Sequence, residues 1–489
     1  MSMFADYVFD MSGACFRSSM LLVDHGIEAR ADYLDAFARC GFTVVRWTDD
    51  LAFRIAWEDR LKGGAKLAVL AAPGDYIPYD LAQLMERYDV SFRSLFPELD
   101  AAALERDRAL DLDMLAVAYK RDSPRLYSFG SSQTERYLAE HVESRDTAEV
   151  VCDELCSKLV RKTTVAKGYR DWFAVAELKA SVDVLAARYD IRYETNSLTD
   201  GAFRDFMLSA EYGRLGGELD DKTPVLVSKA MFYMHQHSER FAIVVMDGMS
   251  EFDWRVLCES FDGIDCEQSA VFAMEPTITS VSRQSLLAGK YPVELGNPWS
   301  QSGEKSGFVR CARSWGLRDK EIAYLRGYDA ELPRGCKCAA YVILDVDERV
   351  HGQYGGRSGM LADMELLARG GRLAALVRRL VGAGMDVYIT ADHGNTPCVG
   401  RGRVTGGGVE TESRGKRMLV VNDLADAESQ KEKYGLIEFP GTFLDKGYRY
   451  YLCPSGVSFD DPGKKVMSHG GISIDEVIVP FITIRAERA

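Results

Sequence analysis

Four apolar runs in the second half of the chain, FAIVVM (241–246), AYVILDV (340–346), DVYIT (386–390) and VIVPFITI (477–484), constrain the fold most. They are far shorter than the roughly 20 residues a bilayer demands, and too continuously apolar to leave one face in water. Runs of this kind alternate with stretches of helical spacing, including a long amphipathic helix expected near 359–381, and RMLVV (417–421) reads as a further strand. From about residue 238 onward the expectation is an α/β fold, a mostly parallel sheet flanked by helices on both faces. In such sheets ligands gather beyond the carboxyl ends of the strands.

The preceding residues divide into two further regions. MLLVD (20–24), FTVVRW (42–47) and KLAVLA (66–71) alternate with helical stretches, which predicts a small N-terminal α/β domain over 1–75. Over 76–237 strand signals thin out and helical spacing dominates, clearest from Trp172 through Val175, Leu178, Val182 and Leu185 to Tyr189, which predicts a mainly helical middle region. The third domain then spans 238–489. With 47% hydrophobic and 27% charged residues and 14 prolines, folded structure is expected nearly throughout. The first residues carry no basic segment leading into an apolar one, so the expected location is cytoplasmic, with no membrane partner. Net charge of −14 argues against coating long nucleic acid by phosphate neutralisation, while leaving room for a local cationic pocket. Eleven irregularly spaced cysteines read as reduced thiols, since Cys336-x-Cys338 and Cys152-x-x-x-Cys156 have no matching second pair for a metal.

The residues that follow the strands carry the chemistry. FAIVVM runs into Asp247 and Gly248, AYVILDV into Asp347 and then His351-Gly352, and DVYIT through Ala391 into Asp392-His393-Gly394. VMSHGG places His469 just before the last apolar run. Singly, each has an ordinary structural role: a strand-end Asp caps the next turn, and Asp347 with His351 is a common one-turn helix pair. Together, three Asp and three His without thiolate form a donor set sufficient for two divalent ions, provided a hydroxyl completes one shell. MEPTITSVSRQSLLAGKYP (274–292) offers that hydroxyl among Thr277, Thr279, Ser280, Ser282 and Ser285, although the same cluster also reads as a helix start.

The order strand-Asp, P-T-x-T before a helix, D-x-x-x-H, D-H-G and H-G-G resembles the alkaline phosphatase superfamily of two-metal phosphohydrolases, over about residues 238–485. Within it, the VMSHGGISIDEVIVPFITI ending, with KLAVLAAPGDYIPYDLAQ and FRSLFPELDA near the N-terminus, resembles PglZ proteins, which are associated with BREX phage defence and are also found fused to response regulators. The resemblance implies an alkaline-phosphatase-like sheet in which Asp247, Thr279, Asp392 and His393 hold one zinc and Asp347, His351 and His469 the other. It implies Thr279 as the nucleophile, two Zn2+ (with Mn2+ or another divalent ion compatible), and a phosphodiesterase acting on a nucleotide or oligonucleotide. Other defence-system proteins are the partners it implies. A threonine hydroxyl is a poor nucleophile at neutral pH and coordination to a divalent ion favours its alkoxide, and residues 280–288, if helical, would put Thr279 at an N-cap where a phosphate is favoured.

Around this set, Arg283 lies one helical turn after Thr279 and is a candidate phosphate contact. Arg403, Arg414, Lys416 and Arg417 flank the Gly-rich turn VTGGGVE (404–410) and are candidates for a longer phosphate chain, or for a solvated loop. Ser473-x-x-Glu476 fits a capping box. Asp24-His25-Gly26 mimics D-H-G without companion ligands, and His235-x-His237 reads as surface. Two other readings of the same residues stay open: phosphomonoester hydrolysis, and a non-catalytic, zinc-stabilised subunit of a defence complex.

Overall fold

The computed structural model describes residues 2–402, 417–421 and 427–486, which form two compact units, Met1–Glu154 and Leu155–Ala489. In the first unit, β1 (Ser19–Asp24), β2 (Thr43–Arg46), β3 (Leu67–Ala71) and β4 (Glu86–Val90) make a parallel sheet in the order β2-β3-β1-β4. Leu21, Val23, Val45, Leu67 and Val69 point into a core that Trp47, Phe53 and Leu61 close. β4 (ERYDV) has a largely exposed, charged sequence, which is why apolar patterning does not reveal it.

In the second unit, β5 (Phe241–Met246), β6 (Glu267–Phe272), β7 (Ile322–Arg326), β8 (Cys338–Ile343) and β9 (Asp386–Thr390) belong to one sheet. β10 (Thr396–Gly400), β11 (Met418–Val421), β12 (Ile437–Phe439), β13 (Arg449–Leu452), β14 (Val457–Ser458) and β15 (Lys465–Ser468) form two small sheets. β16 (Ile478–Ile484) returns to the large sheet, whose order is β6-β16-β9-β5-β8-β7, with β16 antiparallel to its neighbours and the others running one way. β5, β8 and β9 are buried along their whole length, as their continuous apolar sequences require. The fold is α/β with a mostly parallel sheet, and among the described residues no helix is long and apolar enough to cross a membrane.

Local expectations need four corrections. RMLVV forms β11, but in a small antiparallel sheet against β13. The helix expected near 359–381 is two helices, Gly356–Gly370 and Arg372–Gly382, separated by Gly371 at φ 62°, a left-handed conformation that ends a helix and that glycine adopts without strain. AYVILDV stops being strand at Ile343, and Asp345–Gly352 is helix, so Asp347 and His351 share one helical turn. The helix after P-T-x-T runs Thr279–Ala288 with Ile278 as its N-cap, so Thr279 is its first residue rather than its cap.

Candidate metal centre

Chain geometry at the carboxyl edge of the large sheet brings Asp247, Thr279, Asp347, His351, Asp392, His393 and His469 together. β5 delivers Asp247, and Gly248 then turns at φ 76°; a Cβ there would meet the Asp347 Cβ at 3.3 Å, so glycine permits both the turn and the approach of Asp347. The Asp347 N–H donates to the Asp247 carbonyl at 3.0 Å, which fixes the start of the Asp345–Gly352 helix against the end of β5. β9 leads to Asp392 and His393, and at Gly394 a Cβ would lie 2.0 Å from the Asp475 carbonyl oxygen, so no larger residue fits.

Ligand atoms of Asp347, His351 and His469 lie within 4.8 Å of one another, as do those of Asp247, Asp347 and His393. In the first group, His351 Nε2 is 3.3 Å from Asp347 Oδ2 and His469 Nε2 is 3.6 Å from Asp347 Oδ1. In the second, His393 Nε2 is 3.7 Å from Asp247 Oδ1 and 3.9 Å from Asp392 Oδ2. Thr279 Oγ1 adjoins the second group, 3.4 Å from Asp247 Oδ1 and 3.2 Å from His393 Nε2. Asp347 belongs to both groups and joins them. His351 is the exposed member, so the centre opens to solvent on its side.

The donor set fits divalent cations on three observations. Asp392 Oδ2, Asp347 Oδ1 and His469 Nε2 are buried without a hydrogen-bond partner, a costly arrangement unless something else meets them. Each buried histidine engages a backbone carbonyl through its other nitrogen, His469 Nδ1 with Thr277 O at 2.9 Å and His393 Nδ1 with Gly394 O at 3.1 Å. Donation from Nδ1 leaves an Nε2 lone pair aimed into the centre, as metal-binding histidines require. Burial lowers both histidines to about 4, so they are neutral near pH 7. Burial, reinforced by the Asp247 charge, pushes Asp392 well above the carboxylate range. Burial also raises Asp347, but the His351 hydrogen bond and the charges that His469 and His393 acquire in acid outweigh it and hold that carboxyl low.

Thr277 acts through the backbone: its hydroxyl donates to Gly471 O at 2.7 Å and accepts from Gly470 N at 3.0 Å, which fastens the H-G-G turn carrying His469. The Ser473-Glu476 capping box forms, and Glu476 also takes the Gly471 N–H at 2.9 Å. Ser282 Oγ donates to Asp392 O and accepts from Met274 N, so it braces the loop before the helix.

Two expected phosphate contacts need correcting. Arg283 is 1% exposed; its NH1 lies 2.5 Å from Asp247 Oδ2 and its Nε 2.8 Å from Glu304 Oε2. Arg417, likewise 1% exposed, pairs with Glu476 at 3.1 Å and donates to Val457 O at 3.1 Å beneath the H-G-G turn. Both guanidiniums serve buried protein groups. Arg403, Arg414, Lys416 and the turn at 404–410 lie outside the described residues. Asp24 is a turn-former, accepting from Gly26 N, Glu28 N and the Tyr33 hydroxyl, and His235 stacks on Trp315.

Sequence reasoning passes over Glu304, 21 positions beyond its partner Arg283, and over a second buried cluster in which Lys179 meets Asp183 and Asp475. Nothing local marks Glu304, which pairs across the fold; Lys179 and Asp183 stand one helical turn apart, a spacing too common to single them out, and the fold brings Asp475 to them.

Residues 346–484 match the family described as the BREX system PglZ alkaline phosphatase-like domain. Among solved structures, murine ectonucleotide pyrophosphatase/phosphodiesterase 5 in complex with AMP is similar at 12% identity and TM-score 0.35, covering 50% of this chain and 88% of that one. Phosphonoacetate hydrolase from Sinorhizobium meliloti, with phosphonoformate, is similar at 10% identity and TM-score 0.33, covering 51% of this chain and 90% of that one. No curated protein matches the chain. The domain match falls on the residues that bring Asp347, His351, Asp392, His393 and His469 into one centre, so residues 346–484 are similar to a PglZ alkaline phosphatase-like domain.

Proposed function

We propose that the protein is a two-metal phosphodiesterase that cleaves a nucleotide or oligonucleotide through Thr279, in a phage-defence setting. The observation that carries this reading is Thr279 Oγ1, 3.4 Å from Asp247 Oδ1 and 3.2 Å from His393 Nε2, at the edge of two Asp/His groups. Asp247, Thr279, Asp392 and His393 would hold one zinc, and Asp347, His351 and His469 the other. Divalent ions bound there would favour the Thr279 alkoxide and offset charge on the phosphoryl oxygens.

Thr279 opens a helix of ten residues, whose N-terminal N–H groups and dipole suit a phosphoryl group in front of Oγ1. Oγ1 gives up its proton to solvent and bonds to phosphorus while the bond to the leaving oxygen breaks, and that oxygen takes a proton from water to depart as a hydroxyl. Water then cleaves the phosphothreonine, restoring the hydroxyl and releasing a phosphomonoester. A diester carries one negative charge at phosphorus and a monoester up to two. The Arg283 charge is already committed to Asp247 and Glu304, which favours the diester.

Turnover of bis-p-nitrophenyl phosphate against p-nitrophenyl phosphate, at one zinc concentration and pH, tests the substrate class; a clear monoester preference overturns the diester reading. Thr279→Ala is expected to lower turnover at least about a thousandfold, roughly 4 kcal/mol of barrier, with metal content and melting temperature nearly intact. Ser280→Ala is expected to change turnover little, and the reverse result moves the nucleophile by one residue. A fully active metal-free preparation overturns the mechanism.

A further inference from the structure

We infer that Arg283 is a positioning residue for the metal centre: it reserves one oxygen of Asp247 for the protein and leaves the other for metal, and it offsets part of the carboxylate charge when no metal is bound. The inference rests on the metal-centre reading above and extends it to residues outside the ligand set.

The two oxygens of Asp247 have different partners. Oδ2 takes Arg283 NH1 at 2.5 Å, and Oδ1 faces Thr279 Oγ1 at 3.4 Å and His393 Nε2 at 3.7 Å. A free carboxylate can rotate and present either oxygen; one held through Oδ2 cannot. Arg283 is itself held, since its Nε donates to Glu304 Oε2 at 2.8 Å and the other oxygen of Glu304 takes the Tyr324 hydroxyl. A chain of charge-assisted contacts thus runs from Tyr324, at the centre of the edge strand β7, through Glu304 and Arg283 to Asp247, with Arg283 and Glu304 at 1% and 2% exposed. Each side chain in it restricts the next.

The same guanidinium is the cation closest to the carboxylate pair. Its NH1 is 3.8 Å from Asp392 Oδ2, an atom with no hydrogen-bond partner. Asp247 and Asp392 are both buried, and two buried carboxylates side by side repel unless a positive charge faces them. Bound metal would supply that charge; without it, Arg283 supplies one positive charge, shared with Glu304. Its loss therefore harms the metal-free protein more than the metal-loaded one. A phosphate-contacting arginine would behave differently, because its loss would raise KM and leave the metal-free fold unchanged.

The test compares wild type, Arg283→Gln and, should that variant fold poorly, Glu304→Gln, which cuts the chain one link further out. Metal-free protein is prepared by chelation, zinc content is measured after equilibrium dialysis against zinc buffers, and thermal unfolding is followed with and without zinc. The expected result for both variants is a larger fall in melting temperature without zinc than with it. At saturating zinc, kcat on the small chromogenic diester is expected to fall tenfold or more for Arg283→Gln, and less for Glu304→Gln, with KM changed less than threefold. Equal losses of melting temperature with and without zinc overturn the inference while leaving the metal centre standing, as does a tenfold rise in KM at unchanged kcat. Wild-type protein that takes up no zinc, manganese or other divalent ion overturns the inference together with the metal-centre reading.

Discussion

Lys179 and Asp392 are both wholly buried, at 0% exposed, and what meets each of them differs. Lys179 Nζ reaches Asp183 Oδ2 at 2.8 Å and both oxygens of Asp475 at 2.8 and 2.9 Å, and Arg357 adds a second cation 2.7 Å from Asp475. Thr195 donates to the remaining oxygen of Asp183 at 2.5 Å. Around Asp392, one guanidinium is shared by three carboxylates, Asp247, Glu304 and Asp392 itself, and one Asp392 oxygen has no partner. The first cluster sets two cations, Lys179 and Arg357, against Asp183 and Asp475, so its charge is complete even though the Arg357 terminal nitrogens form no hydrogen bond, and the second is short of positive charge. In a buried setting, that shortage separates a binding centre from a structural network more sharply than residue type does, since both clusters are built largely from Asp. The two are also linked: Asp475 sits against Gly394, so the complete network shapes the loop that carries His393.

The largest effect expected from this contrast is in the complete cluster. Lys179→Met leaves Asp183 and Asp475 buried with Arg357 as their one remaining cation here, and removing one partner of such a pair costs about 3–5 kcal/mol. Urea unfolding of metal-free protein measures it. A loss below about 1 kcal/mol would mean that solvent or rearrangement compensates the carboxylates, and Lys179 would not be what balances them.

Apolar patterning made the strands at 241–246 and 386–390 and the α/β class legible, because strands buried on both faces must be continuously apolar. Asp247, Asp347, His351, Asp392, His393 and His469 could be singled out because each follows a strand or shares one helical turn, and the structure brings them together. The charged strand at 86–90 and the break at Gly371 were not legible, since one lacks apolar alternation and the other turns on a single left-handed residue. The burial of Arg283 was hidden for a different reason. Its spacing from Thr279 on the helix is visible in the sequence, but whether a guanidinium faces phosphate or protein depends on Glu304, which the fold supplies.

A smaller effect concerns pH and sharpens the comparison from inside the complete cluster. Asp200, 7% exposed and bonded by the Ser455 hydroxyl, is raised from 3.8 to about 6, first by burial and then by the Asp475 charge, with Lys179 opposing. The native state therefore keeps this proton up to about 6, whereas the unfolded chain releases it near 3.8, so this residue's contribution to stability falls as pH rises through that window. The full span is worth at most about 3 kcal/mol. Asp200→Asn should flatten the dependence of unfolding free energy on pH between these values, and an unchanged slope would show that another group carries it.

The smallest effect has the opposite sign, and it tests the deficit itself. Asp392 Oδ1 accepts from Gly248 N at 3.2 Å and from His393 N at 3.1 Å, and an asparagine oxygen can keep both bonds. The amide nitrogen of Asn would then replace Oδ2, the partnerless atom beside Asp247, and it can donate to Asp247 as a protonated Asp392 carboxyl would. Asp392→Asn thus replaces a group that must either hold a proton or carry an uncompensated charge, without emptying the site. Metal-free protein should become more stable by about 1–2 kcal/mol, in contrast to the loss expected for Lys179→Met. The same variant loses an anionic ligand, so its zinc content after dialysis should fall and the stabilisation that zinc gives wild type should shrink. Thermal unfolding of both proteins, with and without zinc, reads the two changes together. A metal-free Asp392→Asn protein that unfolds below wild type would show that the carboxylate is already balanced, and the two clusters would then belong to one kind.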